Sequence, residues 1–96
     1  MSRDLLGLEG KIVMVTGAGR GFGRAIAHGY GRNGATVIAV DPDVELATGV
    51  ASEVEALGAT AIPIRGDMSV VLDVTSTFAK VEELFGLLDG TVHVTT

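Results

Sequence analysis

Between two apolar stretches of the chain lies Thr16 to Gly23, TGAGRGFG, whose glycines recur with the spacing G-x-x-x-G-x-G. Glycine carries no Cβ, so such a loop lets bare backbone N–H groups approach a ligand, and a helix opening from the loop adds its positive dipole end. The chemistry this suits is the holding of a phosphate. No Gly-Lys-Ser/Thr ending follows, which disfavours a P-loop, and the strict G-x-G-x-x-G spacing fails on every alignment. A glycine cluster is equally what a tight strand-to-helix turn requires. The argument for nucleotide binding therefore rests on where the cluster falls, between a buried strand and an amphipathic helix.

Other chemistries find little support. The chain has no cysteine, so it offers neither a disulfide framework nor a thiolate zinc site, and its two histidines, His28 and His93, sit far apart with no ligand motif around them. A formal charge of −5, with seven basic residues scattered along the chain, would repel a phosphate backbone, so nucleic acid is not an expected partner. The opening MSRDLLGLEGK is interrupted by charge and glycine and lacks a signal-peptide core, and no later apolar run reaches membrane-spanning length. The expectation is a cytoplasmic protein without a membrane partner.

The loop needs elements to position it, and 96 residues suffice for one modest core. Lys11 to Val15 (KIVMV), Thr36 to Val40 (TVIAV) and Ala59 to Ile64 (ATAIPI) read as strands buried on both faces, the last weakened by Pro63, and Gly90 to Thr95 reads as a fourth. Between them run helical stripes: Phe22, Ile26 and Tyr30; Leu46, Val50, Val54 and Leu57; Val71, Val74, Phe78, Val81 and Phe85. Gly34, Gly58 and Gly86 follow these stripes, where a helix C-cap favours a left-handed residue. Gly29 and Gly31, inside the first helix, are poor helix formers that would permit close packing of helix on sheet.

The order β-α-β-α-β-α-β predicts an α/β fold, the first half of a Rossmann-like doubly wound parallel sheet with strand order 3-2-1-4, over residues 1–96 as a single partial domain. Right-handed crossovers then place the first two helices on one face and only the third on the other. Part of the sheet and the edge of the fourth strand, with Val92 and Val94, would stay uncovered. That predicts a homo-oligomer, joined through the bare face or through that edge.

At this point the sequence resembles the amino-terminal half of the short-chain dehydrogenase/reductase family. The resemblance is carried by Leu8-Glu9-Gly10-Lys11, the TGAGRGFG loop, Asp41, Asp67-Met68-Ser69 and FGLLDGTV (Phe85 to Val92), which together cover nearly the whole chain. It implies a dinucleotide cofactor and hydride exchange with an alcohol or carbonyl carbon. Gly17, Gly21 and Gly23 would let the loop approach the pyrophosphate, with Arg20 and Phe22 adding adjoining contacts; Phe22 would also serve the first helix stripe. Asp67 and Met68 would hold the adenine through a carboxylate and a backbone N–H. Asp67 could at the same time cap the following helix together with Ser69. Asp41, at the end of the second strand, could accept hydrogen bonds from both ribose hydroxyls of NAD and would repel the 2′-phosphate of NADP, so NAD is expected over NADP. The turn reading of Asp41-Pro42-Asp43, opening the second helix, stands beside it.

The family's proton-transfer tyrosine, with a lysine four residues later, has no counterpart here. Tyr30 is followed at that distance by Gly34, and Lys11 and Lys80 have no tyrosine in register. Nor does the family's Asn-Asn-Ala-Gly follow the fourth strand, where the chain reads His93-Val94-Thr95-Thr96. No catalytic or metal residue is assigned. The expected function is the NAD-binding portion of an oxidoreductase, inactive alone and acting on a small-molecule substrate only if a carboxy-terminal half is supplied. The alternatives are a non-catalytic nucleotide-binding or interaction module and a decayed product with no function.

Overall fold

The computed structural model of the chain describes residues 9–86 and 89–93. Strands β1 (Ile12–Thr16), β2 (Thr36–Asp41), β3 (Ala61–Arg65) and β4 (Gly90–His93) alternate with helices α1 (Gly21–Arg32), α2 (Val44–Ala56) and α3 (Val71–Phe85). The strands form a parallel sheet in the order β3-β2-β1-β4, the order expected for the first half of a doubly wound fold. In register, Val13 stands beside Val37 and Val37 beside Ala61, while Met14 stands beside Ile38 and Ile38 beside Ile62, so alternate residues of neighbouring strands share a face.

Each face has its own core. Val13, Val15, Val37, Ala39 and Ala61 are packed with Ala27 of α1 and with Val50, Ala51 and Val54 of α2. On the reverse face Met14, Ile38 and Val40 meet Val81 of α3, with Ile12, Ile64 and Phe85 packed around them. The expected division, two helices on one side and one on the other, is therefore present. β3 shows its cost, since Ile62, Pro63 and Ile64 are only half-buried. Pro63 is tolerable there because β3 is an edge strand among the described residues.

The strand boundaries differ from expectation by one or two residues. Polar ends join the ladder, Thr16 in β1, Asp41 in β2 and Arg65 in β3. The part of the fourth expected strand beyond His93 lies outside the described residues, including Val94.

The helices depart further. Phe22 is 81% exposed and is not a core residue; α1 instead buries Gly23, Ala27 and Gly31, with Ile26 and Tyr30 packed at the margin. Small residues let this helix lie close to its neighbours, an advantage that a search for large apolar side chains misses. Gly31 earns its place against α2 rather than against the sheet, because a Cβ there would stand 2.7 Å from Val54 Cγ1, whereas Gly29 has open space around it. In α2, Val50 and Val54 are buried as expected but Leu57 is exposed. In α3 the buried pair is Thr77 and Val81; Val71 and Phe78 are exposed, because the contact with the sheet runs through Thr77, Val81 and Phe85 and leaves those two to its side. Gly34, Gly58 and Gly86 all take positive φ at the helix ends, as expected.

At the solvent boundary Glu53 of α2 fastens the two helices that share a face. It accepts from Arg24 Nε at 2.9 Å and Nη2 at 2.6 Å and stands 2.8 Å from His28 Nε2. Hydrogen bonds from Arg24 first, then His28, lower its carboxyl from the ordinary 4.5 to about 2. Solvent screening keeps such a pair a modest contributor to stability.

Candidate functional site

The eight residues singled out in the sequence all lie at the carboxyl ends of the parallel strands, where doubly wound sheets open a crevice between neighbouring strands whose connections leave to opposite faces. β1 ends at Thr16 and the chain turns through Gly17 and Gly21, which take φ of +68° and +57°. Between them Ala18 is buried and donates its N–H to the Val40 carbonyl at 3.0 Å, tying the loop to β2. Gly23 then faces the start of the same loop: a Cβ there would stand 1.8 Å from the Gly17 carbonyl oxygen. Loop and helix thus meet backbone to backbone, an approach that only glycine permits.

The start of α1 is left open. Arg20 occupies its N-cap position without a side-chain hydrogen bond, and its first turn holds no acidic residue. The N–H groups that begin a helix have no intrahelical acceptor, so an uncapped end beside a glycine cradle fits an anionic phosphate. Arg20 and Phe22 are exposed on either side of Gly21. Both are available to a ligand, and Phe22 has no competing core duty.

Asp41 closes β2 and is 6% exposed. Its Oδ2 accepts the Gly19 N–H at 2.9 Å and its Oδ1 accepts the Asp43 N–H at 3.0 Å. An ionised carboxylate offers about four lone-pair positions, so two backbone donors leave capacity for two hydroxyls. The turn reading also holds, but the cap itself is Asp43, which accepts from Glu45 N and Leu46 N at the start of α2.

The third group is joined to the second through backbone, since Gly66 N donates to the Asp41 carbonyl at 3.1 Å. Asp67 follows, and here the expected helix cap is corrected. α3 begins at Val71 with Val70 at its N-cap, while Asp67 Oδ1 instead accepts from Ser69 N at 2.9 Å and Ser69 Oγ at 2.6 Å. Asp67 closes a turn ahead of the helix, completed by Val70 N donating to its carbonyl. The Ser69 hydroxyl first, then its N–H, hold the Asp67 carboxyl below its usual range. Met68 spends its side chain on the core under α3, and its N–H has no protein acceptor among the described residues. That is the pairing an adenine edge needs, a carboxylate to accept and a backbone N–H to donate.

Three contributors escaped the sequence reading. Gly19 brings the loop against Asp41; Gly66 lies where a Cβ would meet Thr77 Oγ1 at 2.6 Å; and Asp73 Oδ2 accepts from Asp67 N at 3.0 Å and Arg65 Nη1 at 2.8 Å, bracing the turn. Each serves a partner distant in sequence or in another element, which local spacing does not reveal. A cavity of about 350 Å³ between β3 and α3, lined by Ile64, Ser76 and Lys80 among others, shares no residue with the eight. Among the described residues no cluster of metal-ligating side chains occurs, and no helix is long and apolar enough to cross a membrane.

Comparison with known proteins bears on this geometry. The family model for short chain dehydrogenases matches residues 11–96. Tetrahydroxynaphthalene reductase of Pyricularia oryzae is 39% identical over 83 residues, 85% of this chain and 29% of the relative. L-rhamnose 1-dehydrogenase (NAD(P)(+)) of Sphingomonas is 42% identical over 85% of this chain and 33% of its own length. Among solved structures, hydroxysteroid dehydrogenase from Escherichia coli superposes with a TM-score of 0.89 at 30% identity, covering 96% of this chain and 39% of that one. The chain thus spans about a third of the length of the curated relatives it matches.

Proposed function

This chain belongs to the short-chain dehydrogenase family, whose members bind nicotinamide dinucleotides, and from that premise we propose that it forms the part of an oxidoreductase that holds the adenosine end and pyrophosphate of the cofactor, taking NAD in preference to NADP. The single observation that carries the preference is the carboxylate of Asp41, fixed at the end of β2 by the Gly19 N–H. A fixed negative charge accepts ribose hydroxyls and opposes a 2′-phosphate. One relative is named for use of either cofactor, so the preference is argued from Asp41 and not from kinship.

The remaining roles belong to the same proposal, and the geometry supports them. Gly17, Gly21 and Gly23 form the cradle for the pyrophosphate beside the open end of α1, Arg20 and Phe22 flank it, and Asp67 and Met68 N–H receive the adenine. When bound, the dinucleotide would accept a hydride from an alcohol carbon in its oxidised form or give one to a carbonyl carbon in its reduced form. The single tyrosine, Tyr30, packs against the core beneath α1 and α2 with Gly34 four residues on, so the tyrosine and lysine pair that would move the accompanying proton is not found among the described residues. The chain as given is therefore expected to bind cofactor without turnover. Calorimetric titration with NAD and NADP tests the reading. Tighter binding of NAD, with no NADH formed on a panel of alcohols, is the expected result; equal or tighter binding of NADP would refute the assignment of Asp41.

The reading includes self-association. Val71 and Leu72 are each more than three-quarters exposed, Val70 and Phe78 lie partly open on the same helix, and the β3 residues beside α3 are only half-buried. Exposed apolar surface of this kind drives pairing at about 25 cal/mol per Å². Sedimentation at micromolar concentration should find a dimer or larger species, and a compact monomer would remove this part of the proposal.

A further inference from the structure

We propose that Gly19 is a specificity-positioning residue, the position whose missing side chain allows the Asp41 carboxylate to stand where it selects between the two dinucleotides. The inference rests on the NAD reading of Asp41 and extends it to a residue at one of the unspecified positions of the G-x-x-x-G-x-G spacing.

The argument is steric. A Cβ built on Gly19 would lie 2.6 Å from Asp41 Oδ2 and 2.8 Å from Asp41 Cγ, and also 2.7 Å from Leu46 Cβ. Leu46 Cβ is attached directly to the backbone of α2, so no change of rotamer withdraws it. Asp41 is equally constrained, because its other oxygen is engaged by Asp43 N at 3.0 Å. A methyl at position 19 is therefore caught between the carboxylate and the root of Leu46, and relief requires the carboxylate to swing away or the loop to lift from β2. Either movement breaks the 2.9 Å hydrogen bond from Gly19 N to Asp41. Gly21, two residues on, has no atom within 4 Å of its Cβ position. Its need for glycine is conformational, whereas that of Gly19 comes from a residue 22 positions away.

The test compares NAD and NADP affinities by calorimetry in the unmodified chain, Gly19→Ala, Asp41→Ala and the double variant. Gly19→Ala should narrow the preference for NAD by about tenfold, equivalent to about 1.4 kcal/mol, and the narrowing should vanish in the Asp41→Ala background. Damage that is merely structural would weaken both cofactors alike and would persist in that background. An unchanged preference in Gly19→Ala, or equal loss of both cofactors, overturns the proposal. A second arm compares amide resonances in the unmodified chain and Asp41→Ala: the Gly19 amide, which donates to Asp41 Oδ2, should shift further between the two than the amides of Gly17 and Gly21, and absence of that shift also overturns the proposal. If the unmodified chain binds both dinucleotides equally, the premise fails and takes the inference with it, a result distinguishable because no variant enters it.

Discussion

Gly23→Ala should be the most damaging single methyl that can be added to this chain. The new Cβ would lie 1.8 Å from the Gly17 carbonyl oxygen, 2.6 Å from the Gly17 carbonyl carbon and 3.0 Å from Ala18 Cα. Every atom it meets is backbone, so no side chain can rotate to make room. The loop must separate from α1, and with it goes the cradle beside the helix end. Overpacking of a well-packed core costs about 1–3 kcal/mol, and a backbone collision belongs at or above the top of that range. Against a total stability of about 5–15 kcal/mol for a domain, the loss should lower the urea midpoint clearly and leave NAD binding undetectable. Gly29→Ala is the control within the same helix, because its Cβ meets nothing within 4 Å. It should raise stability by up to about 1 kcal/mol through helix propensity. A Gly23→Ala chain with an unaltered midpoint and intact binding would show that the loop yields more easily than its geometry implies.

Asp41→Ala should carry the largest change in cofactor choice, and it acts twice. Two unit charges about 4 Å apart near a protein surface interact by about 4 kcal/mol before screening. Removing one of them relieves NADP of that opposition, while NAD loses an acceptor for its ribose hydroxyls. Since about 1.4 kcal/mol is tenfold, even a third of the unscreened value should compress the preference about tenfold. The substitution also strips the buried Gly19 N–H of its acceptor, which costs about 1–3 kcal/mol. Parallel titrations and urea curves separate the two effects. A preference unaltered by Asp41→Ala would place discrimination elsewhere, with Arg20 the first residue to examine.

The sheet was legible because its strands are unbroken apolar runs and its crossovers have one permitted hand. The alternation of those runs with helices matched the doubly wound order β3-β2-β1-β4, and the hand of the crossovers then divided the helices between the faces. Helix faces were less legible, and for a consistent reason. Burial in α1 goes to Gly23, Ala27 and Gly31, and in α3 partly to Thr77, so close approach outweighs hydrophobicity at the contact. Phe22 looked like core by spacing and stands in solvent beside the loop. In the candidate site, glycine spacing and the acids at strand ends could be read directly. What could not be read was who holds them: Gly19 meets Asp41 only once β1 and β2 lie side by side, and Asp73 meets the turn of Asp67 only once α3 sets its first turn against the preceding loop.

Asp89 sits at the opposite end of the sheet from the crevice, and its influence reaches across it. Its N–H donates to the Ile12 carbonyl at 2.9 Å while its Oδ2 accepts the Ile12 N–H at 2.8 Å, so one residue grips both polar groups of another 77 positions earlier. From that grip β4 runs alongside β1, Gly90 beside Val13 and onward to His93 beside Thr16. A strand displaced by one residue turns each of its side chains to the other face. The carboxylate of Asp89 therefore works as an indexing pin: set at the rear of the sheet, it holds the register in which the β4 backbone runs beside β1 toward the glycine loop.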